Sequence, residues 1–465
     1  MTKPNILFLF TDDQRNDTIG ALGNPIVKTP HMDSIVEDGV AFTNAYIMGG
    51  SSPAVCSPSR AGLFSGRTLW NIENQGLFGY EISDKYTTLP QVFRNNGYTT
   101  FATGKNEPGR EGHFARSFNA GDKILFQGMS NHYKLPLCPY SPSGDYSKEN
   151  EVIFEGKHSA EVYADACIDF LKDENKGDNP FFAYVSFQTP HDPRQCPDEY
   201  MNMYKASDIP LPESFVPEHP FDNGMLRIRD ENLEAFPRDP EKVKWHIAAY
   251  YSMVTHTDAQ IGRILKALEE SGKKDNTLIV FASDNGLAVG KHGLMGKQNV
   301  YDHALHIPLV ISGPGIPKGE LRDQLCYLYD IYPTLCDYAK LETPDTVQYK
   351  SLNDTIHNPS SEHRDHLYHA FMDWQRAIRN KQYKLIEYCV KGERHTQLFD
   401  LENDPGEITN LAGDHDYETI LTDMRALLIK EKDALNDGNI PFEFTDKQGK
   451  DFWKMYEEVN QVQIP

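Results

Sequence analysis

Short apolar runs that stop abruptly at polar residues set the rhythm of this chain. "NILFLFT" runs into Asp12-Asp13, "FFAYVSF" into Thr189-Pro190-His191, and "TLIVFAS" into Asp284-Asn285. Continuous apolar stretches of this length, without alternation, read as strands buried on both faces of an α/β sheet. In open sheets of that kind ligands bind beyond the carboxyl ends of the strands. Three runs therefore bring carboxylate, amide and imidazole groups to the edge where a site is expected. Between the second and third runs the period turns helical: Val243, Ile247, Tyr250, Val254, Ile261, Leu265 and Leu268 share a face, with Asp239 as N-cap, Pro240 at N1 and a stop near Gly272. This predicts a long helix packed on the sheet. Residues from about Asp192 to Pro240 are proline-rich and aperiodic, as in a surface excursion that shapes a pocket.

A boundary falls in the polar, turn-rich stretch 342 to 365. Beyond it, "RAIRNKQYKLIEYCV" and "TQLFDLENDPGEITNL" read as strands and a turn, followed by an amphipathic helix around Ile420 to Lys430. The division predicted is an α/β domain over 1–350 and a smaller α+β domain over 351–465. A length of 465 residues, 39% of them hydrophobic and 25% charged, supports a large core and excludes wholesale disorder.

Forty-six basic residues against 68 acidic ones give a net charge of −22, which repels phosphate backbones and anionic lipid surfaces and argues against either as a partner. An anionic small substrate must then meet a local cationic pocket, with charges beyond roughly 8 Å screened by salt. No apolar stretch approaches the roughly 20 residues that span a bilayer. The opening "MTKPNILFLFTDD" lacks a signal-peptide cleavage site, so the chain as written is expected in the cytoplasm, a removed leader aside. Seven cysteines scattered from Cys56 to Cys389 form no disulfide framework.

Asp12-Asp13 alone reads equally well as a helix cap with a solvated neighbour. Asp284-Asn285 at a second strand end shifts the reading, because carboxylate and amide oxygens are hard ligands for Ca²⁺ or Mg²⁺ and clustered carboxylates repel one another without a cation. Cys56, in "SSPAVCSPSRAGLFSGR", has no second cysteine or histidine at metal-binding spacing and no apolar run to suggest a packed core.

"CSPSRAGLFSGR" resembles the signature of type I sulfatases, with Cys56, Pro58, Arg60, Leu63, Ser65, Gly66 and Arg67 in place. "NILFLFTDD", "TGK", "TPH", "SDNG", "HGLMGK" and "LFDLENDPGEITNL" follow in the family's order, so the resemblance spans nearly the whole chain. It implies an alkaline phosphatase-like fold: a large mixed sheet flanked by helices, with a smaller C-terminal α+β domain. It implies that a modifying enzyme oxidises Cys56 to formylglycine, whose hydrate attacks sulfate esters; a thiol would be left stably sulfated, whereas the hydrate's second hydroxyl lets sulfate be expelled.

The resemblance makes Asp12, Asp13, Asp284 and Asn285, with an oxygen of the modified Cys56, the ligands of Ca²⁺, Mg²⁺ being the other hard cation that fits. Arg60 matches the residue that holds the formylglycine hydrate. Lys105 and Lys297 match lysines that contact the sulfate, and His191 matches the histidine that protonates the leaving alcohol, a task suited to an imidazole. One position departs from the family: many members read GKxH after the first lysine, but Glu107 stands where that histidine would be. His113 is then the expected substitute, with Glu107 as the alternative base, and His292 is a further substrate contact. The expected substrate is a sulfated saccharide, with a 2-O-sulfated uronic acid as the specific guess and Arg110 or Arg116 as partner of its carboxylate. The competing readings are a phosphonate or phosphate monoester hydrolase of the same superfamily and a sulfoglycan-binding protein without catalysis.

Overall fold

The computed structural model describes residues 3–72, 75–76, 79–80, 82–106, 112–173, 179–438 and 452–453. Two sheets organise it, built in chain order from β1 (Asn5–Asp12), β2 (Gly39–Phe42), β3 (Gly49–Gly50), β4 (Thr99–Lys105), β5 (Ala120–Leu125), β6 (Phe181–Pro190), β7 (Thr277–Ser283), β8 (Leu309–Ser312), β9 (Glu320–Arg322), β10 (Leu367–Phe371), β11 (Gln375–Arg379), β12 (Tyr383–Val390) and β13 (Glu393–Asp400). The larger sheet has eight strands in the order β9-β2-β8-β7-β1-β6-β4-β5.

β1 lies inside this sheet, parallel to β6 with Ile6 opposite Phe182 and parallel to β7 with Asn5 opposite Thr277. β4 runs parallel to β6 on the far side. Four parallel strands thus end at one edge, and their last residues or the ones just beyond are Asp12, Lys105, His191 and Asp284. The three apolar runs lack alternation because every residue of β1, β6 and β7 is buried. Ile6, Phe8 and Phe10 face one core while Leu7 and Leu9 face the other.

Five helices matter to the site: α1 (Pro30–Glu37), α2 (Cys56–Ser65), α3 (Ser159–Lys172), α4 (Pro240–Glu270) and α5 (Glu418–Leu435). α4 starts where the sequence predicts, with the Asp239 carboxylate accepting from the backbone N–H groups of Glu241 (2.8 Å) and Lys242 (3.4 Å). It ends at Glu270, and Gly272 just beyond takes a φ of 69°, in the left-handed region that glycine enters at least cost. α1, α3 and α4 bury their apolar residues with Leu7 and Leu9, whereas α2 lies in the opposite core. No described helix is long and apolar enough to cross a membrane.

The excursion from Asp192 to Asp239 forms no strand and only short helical turns among its residues. It is pinned to the loop that carries Lys297 by Glu231, whose carboxylate accepts from the N–H groups of Met295 and Gly296 (both 2.9 Å) and pairs with buried Arg238.

The second sheet has the order β13-β12-β11-β10-β3. It is mostly C-terminal, as the sequence predicts, but its edge strand β3 comes from residues 49–50, with Gly49 opposite Ala370 and Gly50 opposite Phe371. The polar stretch 342 to 365 joins two sheets whose buried residues meet in one hydrophobic core. The consequence for the site is direct, since β3 ends six residues before Cys56.

Gly104, next to Lys105, sits at an irregularity in the β4–β5 pairing with φ of 85°, and a Cβ there would fall 2.0 Å from the Ser186 carbonyl oxygen. Gly104→Ala should lower the unfolding free energy by about 1–3 kcal/mol, the usual cost of a strained backbone position, and shift the neighbouring lysine. Urea unfolding tests this; an unchanged midpoint would contradict the packing described.

Candidate active site

The site is assembled at the carboxyl edge of β1. Asp12 ends the strand, and Asp13 turns the chain with φ of 67°, the left-handed region that aspartate tolerates better than most residues. The turn is held from three sides. Asp13 N–H donates to Asp284 Oδ1 at 3.1 Å, Asn285 Nδ2 donates to Asp13 Oδ1 at 2.6 Å, and the Tyr250 hydroxyl donates to the Asp13 carbonyl at 2.6 Å.

Cys56 opens α2 and is 2% exposed. The sequence suggests no packed core around it, yet all ten residues of α2 are buried. The small residues explain the difference, because they let the helix backbone lie deep in the core: a Cβ on Gly62 would meet the Tyr329 ring at 2.9 Å. Arg60 falls one turn after Cys56 on the same helix face. Its Nε donates to Asp284 Oδ2 at 2.8 Å, and one terminal nitrogen donates to Ser186 Oγ at 2.6 Å and to the Lys105 carbonyl at 3.1 Å. Lys105 Nζ lies 2.5 Å from Asp12 Oδ2, Lys297 Nζ lies 2.5 Å from Asp13 Oδ1, and His191 Nε2 lies 3.8 Å from Asp13 Oδ2.

Three carboxylates and three cationic side chains are thus gathered out of water, and their formal charges cancel. Isolated, any of them would be costly to bury. Burial pushes the Asp12 carboxyl up, but Lys105, with His191, Arg60 and Lys297, holds it well below the usual carboxylate range. For Asp284, burial and the neighbouring Asp12 prevail over Arg60 and the two lysines and raise it to about 6. Burial works against the charge on Lys297, yet Asp13 keeps it protonated well above the ordinary lysine value.

Two acceptors in this cluster, Asp12 Oδ1 and Asn285 Oδ1, are buried with no hydrogen-bond donor. Ligand atoms of Asp12, Cys56 and Asp284 lie within 4.8 Å of one another, as do those of Asp12, Asp13 and His191. Hard oxygen donors around an unfilled valence fit a divalent cation of the Ca²⁺ or Mg²⁺ kind. The Cys56 sulfur is the soft exception in that set, and an oxygen in its place would complete it.

Several residues around the cluster escape sequence reasoning. Asp192 accepts from His191 Nδ1 through its carbonyl at 2.8 Å, and its carboxylate lies 3.3 Å from the same nitrogen. Arg229 reaches back from the excursion to Asp192 and Asp230. His132 donates from Nε2 to the His191 carbonyl at 3.0 Å and accepts the Ser159 hydroxyl at Nδ1, 2.7 Å. None lies in a periodic segment; the only local signal was the position of Asp192 beside a histidine already singled out.

Of the two predicted substrate contacts, His113 packs in the core and His292 lines a cleft. His113 is buried in the helix Gly112–Ser117, edge-on to Phe64 with ring centroids 5.8 Å apart, and desolvation lowers it to about 3. It belongs to the aromatic core beneath α2. His292 stacks on Tyr301 at 4.1 Å and lines a cleft of about 420 Å³ with Arg15, Asp17, Tyr251 and Glu407. Arg116 donates to the carbonyls of Ile82 and Ser83 at 2.8 and 3.1 Å and pairs with Asp84, so it is not available to a sugar carboxylate. Glu107 and Arg110 lie outside the described residues.

The large mixed sheet flanked by helices, with its parallel strands ending at this site, has the alkaline phosphatase-like fold. A solved structure in complex with its substrate D-glucosamine-2-N,6-O-disulfate superposes with a TM-score of 0.79 at 22% identity, covering 96% of this chain and 100% of that one. The chain belongs to the sulfatase family, whose model matches residues 4–341. A second model, N-sulphoglucosamine sulphohydrolase C-terminal, matches residues 290–434. The arylsulfatase of Clostridium perfringens is 32% identical over 478 residues, covering 94% of this chain and 96% of its own. The ulvan-active sulfatase of Formosa agariphila is 31% identical over 458 residues, covering 94% and 82%.

Arg60→Met would leave Asp284 and Asp12 short of a buried counter-charge and should cost about 3–5 kcal/mol of stability; a urea midpoint within error of wild type would contradict the cluster. A second expectation concerns pH. Burial lowers His113 to about 3, His132 to about 4 and His292 to about 3, so each stays neutral in the folded chain, while in the unfolded chain it takes a proton below about pH 6.5. The unfolded state then binds more protons, and stability falls as pH drops from about 6.5 toward 4. The loss is up to about 1.4 kcal/mol per pH unit for each histidine. Unfolding free energies that stay level between about pH 7 and pH 5 would refute this.

Proposed function

We propose that the protein hydrolyses sulfate esters of a carbohydrate, with Cys56 matured to formylglycine and Ca²⁺ held by Asp12, Asp13, Asp284 and Asn285. The observation that carries this reading is the pair of buried acceptors without donors, Asp12 Oδ1 and Asn285 Oδ1, inside a cluster whose six charges cancel. A divalent ion added to a neutral set of residues makes the pocket cationic. That is the local condition a chain of net charge −22 needs in order to hold an anion. When present, the ion polarises the sulfate ester and formylglycine supplies an oxygen nucleophile in place of sulfur.

The chain's own side chains have separable tasks in this reading. Arg60 fixes the first turn of α2 against Asp284 and the Lys105 carbonyl, so the residue at position 56 is held still. Lys105 and Lys297, buried and charged, supply the cations that contact the sulfate oxygens as negative charge builds. His191 carries its Nδ1 proton toward the Asp192 carbonyl, which leaves Nε2 on the carboxylate side of the ring to deliver a proton to the leaving alcohol.

A sulfated saccharide fits the ulvan-active sulfatase relative and the disulfated glucosamine bound in the superposed structure. The expectation of a 2-O-sulfated uronic acid loses Arg116 as partner of the sugar carboxylate, so the reading is stated at the level of the sulfated saccharide. Initial rates on 4-nitrophenyl sulfate against the corresponding phosphate and phosphonate esters separate it from the phosphomonoester and phosphonate alternative. A sulfate rate that does not lead would reverse the assignment.

Formylglycine makes the Cys56 peptide about 18 Da lighter than the encoded sequence, a mass change that marks covalent modification. In an active preparation tryptic mass spectra should show that loss, and Cys56→Ala should fold normally without turnover. A fully active sample that carries only unmodified cysteine would overturn the proposal, and an inactive, unmodified protein that still binds sulfated saccharide would favour the binding-protein alternative.

A further inference from the structure

The proline-rich excursion reaches the histidine side of the candidate site through Arg229. Arg229 is 45% exposed, and its guanidinium donates to both carboxylate oxygens of Asp192, at 2.5 and 3.2 Å, while also lying 2.6 Å from Asp230. Both carboxylates are nearly buried, at 5% and 8% side-chain exposure. Asp230 is in turn held by Gln298 Nε2 at 2.7 Å, and the same amide donates to the Pro53 carbonyl at 2.9 Å. An unbroken chain of polar contacts thus links the approach to Cys56, the residue next to Lys297, the excursion and His191.

The end of that chain is specific. Both oxygen types of Asp192 face His191 Nδ1, the carbonyl at 2.8 Å and the carboxylate at 3.3 Å. Two acceptors at one ring nitrogen place the proton there and present Nε2 to the reaction. A paired guanidinium with two parallel contacts fixes the carboxylate more firmly than a lysine would. The far side of the histidine is held as well, since His132 donates to its carbonyl.

We propose that Asp192, clamped by Arg229, is the positioning residue for proton donation by His191, so that an ordered excursion is a condition for expelling a poor leaving group. The inference rests on the assignment of His191 as proton donor given above. In the step concerned, the hydrate oxygen proposed at position 56 attacks as the alkoxide and forms a bond to sulfur while the sulfur–oxygen bond to the leaving alcohol breaks; the electron pair of that bond stays on the leaving oxygen, which takes the Nε2 proton.

The test uses a series of aryl sulfates whose leaving phenols grow more basic, from 4-nitrophenyl through phenyl to 4-methoxyphenyl sulfate. A good leaving group needs little help from an acid, and a basic one needs it most, by a factor that general acids supply in the range of about 10²–10⁴. Asp192→Asn and Arg229→Met should lower kcat/KM several-fold on 4-nitrophenyl sulfate and by about 30-fold or more on 4-methoxyphenyl sulfate. The loss should fall mainly on kcat. Arg229→Lys, which keeps the charge but not the two-pronged contact, should lie between wild type and Arg229→Met.

His191→Ala is the reference. If it shows no added sensitivity to the leaving group, the assignment of His191 as donor falls. If His191→Ala is sensitive while Asp192→Asn and Arg229→Met lose the same factor across the series, or nothing at all, the positioning role falls and the histidine assignment stands.

Discussion

Everything at the carboxyl edge of the large sheet depends on burying six charged side chains together. Asp12, Asp13 and Asp284 sit out of water with Arg60, Lys105 and Lys297, each 2% exposed or less. Coulomb energies in such surroundings exceed those at the surface severalfold, so the arrangement is stable only while the charges match. The fold meets that condition by topology: β1, β4, β6 and β7 run parallel and end at the same edge, and α2 enters from the opposite core to place Arg60 between them. A residue removed from the set would leave its partner stranded, which is why structure and chemistry here are one problem.

The second sheet and the excursion act on this cluster from either side. β3 ties the approach to Cys56 to the C-terminal strands through Gly49, where a Cβ would stand 1.9 Å from the Ala370 carbonyl oxygen. The loop containing Lys297 is held by Glu231, and the residues after it are held by Asp302. The Asp302 carboxylate pairs with Lys384 at 2.6 Å, and its N–H donates to Glu407 at 2.7 Å. Glu407 is the second glutamate of "ENDPGEITNL", so that motif acts as a buttress for the loop rather than as part of the reactive set.

The sequence carried the strands and the long helix plainly, because burial on both faces and a 3.6-residue period leave local marks. The metal-ligand candidates were legible for the same reason: they sit at strand ends, and strand ends are visible. What local pattern could not show was long-range assembly. The burial of α2 depends on Tyr329, far away in the chain, and the Arg229–Asp192 pair spans 37 residues of aperiodic loop. Residue type and proximity to a motif point to His113 and His292, but neither shows the ring packing that the fold gives them, one against Phe64 and the other on Tyr301. Glu107 marks a departure from the family pattern, and the contacts made by His191 come from Asp192 at the start of the excursion and from His132.

Calorimetric titration of chelator-stripped protein with Ca²⁺ bears most directly on the claim that the buried cluster is a cation site completed by Asp12 and Asn285. The account predicts one saturable site per chain, lost when Asp284 is replaced by asparagine in a protein that remains folded. Absence of saturable heat, or equal affinity in the Asp284→Asn protein, would contradict it.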